Sequence, residues 1–180
     1  MKILKRILIV VAILIAIPLI AALFIKGDYA VEREVTIAKP KQVVFDYVKN
    51  IKNQNYFSVW NMKDPNSKME YKGTDGTVGF ISSWESENSE VGTGEQEIKN
   101  IVEGSKIEME LRFTKPMTMQ DDAYFITEAI DSLNTKVKWG FFGTSPYPMN
   151  LMCVIMDMDK MMGPELQKGL DNLKGILEKQ

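Results

Sequence analysis

The chain opens with an unbroken apolar run and then changes period. From Ile7 to Ile25 the residues read ILIVVAILIAIPLIAALFI, with no charged and no strongly polar side chain. As a helix such a run rises about 1.5 Å per residue and matches the hydrocarbon thickness of a bilayer. Pro18 falls inside it, which a membrane span tolerates as a kink. A cleaved secretory signal is the competing reading, but its apolar region is shorter and ends at a small-x-small site. No such site precedes Lys26. Lys2, Lys5 and Arg6 precede the run, whereas Lys26 and Arg33 after it are interspersed with Asp28, Glu32 and Glu34. Denser positive charge before the span predicts a single pass with the N-terminus cytoplasmic and the following domain extracytoplasmic.

Beyond Gly27 the apolar positions fall on a period of two. Val31, Val35 and Ile37 share one face of a first strand against Glu32, Glu34 and Thr36, with Arg33 intruding on the apolar side. Pro40 opens a helix in which Val44, Tyr47 or Val48, and Ile51 recur at helical spacing. Strand-like runs then follow: 68–72, then Val78, Phe80, Ser82 and Trp84 alternating, then 90–102, 106–113, 123–130 and 135–142. The clearest sets Ile107, Met109, Leu111 and Phe113 against Glu108, Glu110 and Arg112, a sheet wet on one face and packed on the other. Val137, Trp139 and Phe141 alternate likewise with Lys136 and Lys138. A helical piece over about 150–162, broken at Gly163-Pro164, precedes a long helix with Leu166, Leu170, Leu173 and Leu177 as its apolar stripe. Strands in series flanked by helices predict an α+β fold, an antiparallel sheet curling over the terminal helix. The expected domains are 1–27, an anchor with a basic flank, and 28–180, one globular domain.

Composition narrows the chemistry. There is no histidine and a single cysteine, Cys153. These remove imidazole-based catalysis, His-ligated zinc, intramolecular disulfides and multi-thiolate metal sites, so neither a metal nor another cofactor is expected. Cys153, inside Leu151-Met152-Cys153-Val154-Ile155, reads as a small apolar residue with nothing to activate it. A net charge of −2 with cations scattered along the chain lacks the basic face that nucleic acid needs. The Thr74–Gly79 stretch has no phosphate-loop lysine and reads as a turn. Asp157 and Asp159 diverge on a helix, and Asp121-Asp122 precede a strand; capping and solvation explain both pairs better than catalysis.

Several stretches together resemble the START-like (SRPBCC) superfamily, in its polyketide cyclase/dehydrase and lipid-transport branch. They are the Val31–Val48 passage from strand through Pro40 to helix, the Tyr56–Trp60 loop reaching Asp64-Pro65, Val78-Gly79 with Trp84, Val91-Gly92-Thr93-Gly94, and Met156–Pro164. The resemblance spans about residues 28–179 and implies a helix-grip fold with an apolar ligand between the sheet and the C-terminal helix. On it, Phe80, Trp84, Met109, Leu111, Phe113, Phe125, Trp139 and Met156 become the expected ligand contacts. The partners expected are thus the bilayer, through residues 7–25, and a small hydrophobic or lipid-like ligand. Two alternatives stand beside this: a polyketide-cyclase-like enzyme, using Glu95, Glu97, Arg112 or Tyr124 in the cavity, and a ligand-free structural or stress-response domain with a filled core. Methionine is abundant between Met149 and Met162, which suits either a ligand surface or plain packing.

Overall fold

The computed structural model describes residues 2–180, without the side chains of Lys2 and Ile155. Met1 of the expected anchor segment, and the Lys2 charge counted in its flank, lie outside the described residues. The chain divides into two compact units, Met1–Tyr29 with Thr144–Asp157, and Ala30–Gly143 with Met158–Gln180.

In the first unit, helix α1 (Lys2–Ala22) contains a stretch, Ile3–Ala22, with mean hydropathy 2.7. It is long and apolar enough to cross a membrane, a property that a signal sequence near an N-terminus shares. The same unit holds a 3₁₀ turn, Met149–Leu151, and a single helical turn, α5 (Met152–Ile155).

The second unit is built on a curved seven-stranded antiparallel sheet: β1 (Asp28–Ile37), β2 (Lys68–Lys72), β3 (Ile81–Glu85), β4 (Thr93–Val102), β5 (Lys106–Lys115), β6 (Met119–Ala129) and β7 (Thr135–Thr144), in the order β1-β7-β6-β5-β4-β3-β2. Register shifts in β4, at Thr93/Gly94 and Ile98/Asn100, mark bulges that bend the strand. Between β1 and β2 lie α2 (Lys41–Lys49), α3 (Gln54–Phe57) and α4 (Val59–Lys63), and the chain ends in α6 (Met158–Leu177). Helix α6 lies along the inner face, burying Leu166, Leu170, Leu173 and Leu177, each worth about 2 kcal/mol of hydrophobic stabilisation. This is the α+β arrangement the element order predicts, and the helix-grip form of it that the resemblance implies.

Three sequence expectations need correction. The helical break falls at Met156-Asp157, and α6 runs through Gly163-Pro164 without interruption. Pro164 forfeits only the bond to the Lys160 carbonyl, and packing along the rest of a 20-residue helix outweighs it. Val78 is 60% exposed in the turn before β3 instead of alternating within the strand, because Gly76 and Gly79 at φ +75° and +85° keep the chain turning until Phe80. The carboxyl of Asp75 accepts from the Ile51 and Lys52 amides and ties that turn to the end of α2. Asp121 and Asp122 lie within β6, not ahead of it.

Arg33, the misfit on β1, reaches α6. Its guanidinium pairs with Asp159 through two hydrogen bonds of 2.7 and 2.9 Å, which makes Asp159 an ion-pair partner and not merely a solvated cap. It rests on Gly163, where any β-carbon would collide with it. Six residues on, Gly169 gives the same room to the Trp139 indole, whose Cζ3 would lie 2.6 Å from a β-carbon there. At the far end of α6, Glu178 accepts from the Ala38 amide and Lys174 donates to the Thr36 carbonyl, fixing helix to strand.

Candidate functional site

The inner face of the sheet is best read as rows of side chains set by strand register. One row joins Ile107, Phe125 and Trp139 across β5, β6 and β7. The next joins Ile98, Met109, Ala123 and Phe141, with Phe80 paired through its backbone to Ile98. Both rows are buried. The Trp139 ring stacks on Phe125 at 5.0 Å, and meets Phe57 and Trp60 edge-on at 5.7 and 6.0 Å. With Gly169 pressed against it, this is a close-packed end of the domain.

A third row, Ser82, Gln96, Leu111 and Asp121, changes character. Ser82, Gln96 and Asp121 are buried polar residues on a face otherwise apolar. Gln96 directs its amide nitrogen at the Met109 sulfur, 2.8 Å away, a weak acceptor for a buried donor. The fourth row, Trp84, Gly94, Phe113 and Met119, is only half-buried, except for Gly94. Gly94 has a reason to be bare: a β-carbon there would lie 2.8 Å from Trp84 Cζ2. The indole therefore lies across β4, meets Phe113 edge-on at 5.6 Å, and donates its Nε1 hydrogen to the Val91 carbonyl.

Loops brace the border of this open end. Lys63, closing α4, bonds Glu90 in the β3–β4 turn and Glu165 on α6. Both carboxylates raise the Lys63 pKa, Glu90 foremost, against some desolvation. Ser86 of the same turn donates to Asp64, which depresses the Asp64 pKa. The half-buried apolar end is thus a held shape bordered by α4, the 86–92 turn and the first half of α6.

Of the expected contacts, Phe80, Met109, Phe125 and Trp139 lie in the two buried rows, whereas Trp84, Leu111 and Phe113 line the open end. Met156 belongs to the other unit and is half-buried there. The residues offered for an enzyme lie elsewhere. Glu95, Glu97 and Arg112 face outward, because they alternate with Gly94, Gln96 and Leu111. Arg112 binds Glu95, Glu97 and Glu110 there, hydrogen bonds that hold its guanidinium charged and lower the Glu97 pKa. Tyr124 also faces outward, passing over Gly140 to donate to Glu32 at 2.6 Å. Burial, and then the Glu32 carboxylate, push its pKa up. Sequence reasoning set Ser82 on the face of Phe80 and Trp84 but passed over Gln96 and Asp121 as inward groups; the alternation of Gln96 and Ile98 against Glu95 and Glu97 was the available signal.

No protein-family model and no curated protein matches this sequence. Solved structures match its fold. A crystal structure of Ara h 8.0201 aligns at TM-score 0.55 and 14% identity, covering 86% of this chain and 100% of that one. A norcoclaurine synthase from Thalictrum flavum, in complex with dopamine and hydroxybenzaldehyde, aligns at TM-score 0.61 and 10% identity, covering 86% and 89%. Protein MLL2253 from Mesorhizobium loti aligns at TM-score 0.59 and 14% identity, covering 84% and 98%. At these identities the likeness is one of fold, the helix-grip fold of Bet v 1-like and SRPBCC proteins.

Proposed function

We propose that this chain is a membrane-tethered module that binds a small hydrophobic or lipid-like molecule at the open end of the inner sheet face. One observation carries the reading: Trp84, Leu111 and Phe113 point inward yet stay half-exposed, on a braced frame, while the neighbouring rows are sealed. Aromatic and aliphatic walls with a few convergent polar groups are what small-molecule sites are made of. The row of Ser82, Gln96 and Asp121 beneath supplies those groups, so an amphipathic molecule suits the site better than a pure hydrocarbon. The norcoclaurine synthase, whose structure holds two small aromatic molecules, supports the capacity of this fold for such ligands. Phe80, Met109, Phe125 and Trp139 form the floor beneath the polar row. Helix α1 is the tether, with its N-terminus cytoplasmic and the domain outside, on the strength of its apolar length and the cations before it.

Native mass spectrometry of the full chain, released from detergent micelles after incubation with palmitate or 8-anilinonaphthalene-1-sulfonate, tests the site. A stoichiometric adduct is expected, lost in Leu111→Asp. No adduct with either probe, or one that Leu111→Asp leaves intact, overturns the proposed site. Alkaline extraction that released the intact chain from membranes would overturn the tether. Domain digestion only after the cytoplasmic membrane is opened would overturn its orientation.

A further inference from the structure

Helix α1 does not simply end at Ala22. The last carbonyls of a helix lack partners within it, and in a bilayer such groups are costly to leave unpaired. Here the Asn150 side-chain amide, itself buried, donates to the Ala22 carbonyl at 2.7 Å and to the Ile25 carbonyl at 2.8 Å. The Ser145 amide bonds the Gly27 carbonyl at 2.9 Å, and the Cys153 thiol approaches the same oxygen. Gly27 is required there, since a β-carbon would strike the Ser145 carbonyl. The 144–157 segment is therefore bolted to the foot of α1, and the 3₁₀ turn Met149–Leu151 lies against that helix.

Its outward surface is apolar. Tyr147 is 52% exposed, Met152 41% and Val154 65%, and on the adjoining foot of α1 Leu23 and Phe24 are 67% and 84% exposed. No charged residue occurs between Lys138 and Asp157. A water-facing loop of that length without charge is unusual, and a continuous apolar patch marks a contact surface. Charge returns on both sides of the unit at matching places. Thr144 hydroxyl donates to the Asp28 carboxylate at 2.8 Å, and Asp157 closes the segment. Tyr147 and Phe24 are the amphipathic and aromatic types enriched where a bilayer meets water, and the exposed Lys26 can extend its ammonium to phosphates.

We propose that the 144–157 segment is a second membrane contact, its Tyr147, Met152 and Val154 side chains seated in the interfacial layer of the lipid that α1 crosses. The occupant of this patch is lipid, because the Asn150 hydrogen bonds hold the segment against the foot of the span. The proposal rests on α1 being a membrane span, and the test separates the two. In full-length protein with Cys153→Ser, single cysteines at Leu14, Met152, Val154 or Leu133 carry a nitroxide in phosphatidylcholine–phosphatidylglycerol vesicles. Relaxation by oxygen is compared with relaxation by a water-soluble nickel chelate. Leu14, Met152 and Val154 are expected to favour oxygen, and Leu133, exposed in the β6–β7 turn, to favour nickel. If Met152 and Val154 behave like Leu133 while Leu14 favours oxygen, the tether stands and the second contact is overturned. If both are immobilised and shielded from either reagent, a protein covers the patch and the proposal is equally overturned. If Leu14 favours nickel, the span and this proposal fall together. Photolabelling of the unsubstituted chain with a lipid-partitioning aryl diazirine gives a check free of substitutions. Label in peptides from 139–157 as well as from α1 supports the contact, and label in α1 alone refutes it.

Discussion

The two ends of the inner sheet face are made from similar residues and differ in what covers them. At the closed end, Ile107, Phe125 and Trp139 are sealed by Phe57, Trp60 and the Gly169 stretch of α6. At the open end, Trp84 on β3 and Leu111 and Phe113 on β5 face the same way on the same sheet but remain half-exposed. The contrast teaches that inward direction, which a period of two dictates, is separate from burial, which depends on the opposing element. A residue facing inward without a cover is available to a ligand.

Several substitutions press on that contrast. The largest effect belongs to the closed end. Trp139→Ala should lower the stability of the full chain by about 3–5 kcal/mol, read from thermal unfolding in detergent micelles by near-ultraviolet circular dichroism. A loss below about 1 kcal/mol would mean that the aromatic cluster is not the core. Phe113→Ala, at the open end, should cost only about 1–2 kcal/mol, since its surroundings already admit solvent, yet abolish the palmitate adduct. An equal loss of stability in both variants would erase the distinction between the ends.

Smaller effects come from the border and the outer face. Lys63→Met removes two partly exposed ion pairs and should change stability by about 1 kcal/mol or less. Hydrogen exchange in the 86–92 turn should nevertheless quicken, because of its two side-chain links to the end of α4 only Ser86–Asp64 remains. Part of the acid response should arise on the outer face. Glu97 and Glu108 have pKa values lowered chiefly by hydrogen bonds from Arg112 and Lys106. The unfolded chain therefore binds more protons there, and stability is full above about pH 4.5 and falls as the pH drops below it. Glu97→Gln should flatten that decline, and an unchanged profile would place the acid response elsewhere. At the alkaline extreme the sign reverses. Tyr124, its pKa raised by burial, holds its proton in the folded state, so its contribution fades above about pH 10.

Much of this architecture was legible in the pattern of apolar positions. The leucine stripe of α6 and the alternation in β5 and β7 carry their own geometry, since period alone selects the buried face. Three kinds of feature were not legible. Where a helix breaks depends on tertiary support, so the proline at 164 looked decisive and was not. In β4 the alternation sets one polar residue against others, Gln96 against Glu95 and Glu97, and that weak contrast left Gln96 unassigned. Arg33 looked like an error in a strand until Asp159, more than a hundred residues away in sequence, supplied its counter-charge.

The three glycines of α6 imply a particular pattern of tolerance to sequence drift. Gly163 carries Arg33 and Gly169 carries Trp139, so each is half of a pair whose other member lies on a distant strand. Gly175 has nothing within 4 Å of where a β-carbon would stand. In a saturation library scored for folded protein, position 169 should reject even alanine, position 163 should take alanine only as the Arg33 guanidinium is displaced from Asp159, and position 175 should welcome it, with a gain of about 1 kcal/mol from helix propensity. Rescue of a substituted position 163 should come through loss of Arg33 rather than through changes along the helix. The most constrained letters of that helix are therefore the ones with no side chain, and their constraint is inherited from residues on the strands opposite.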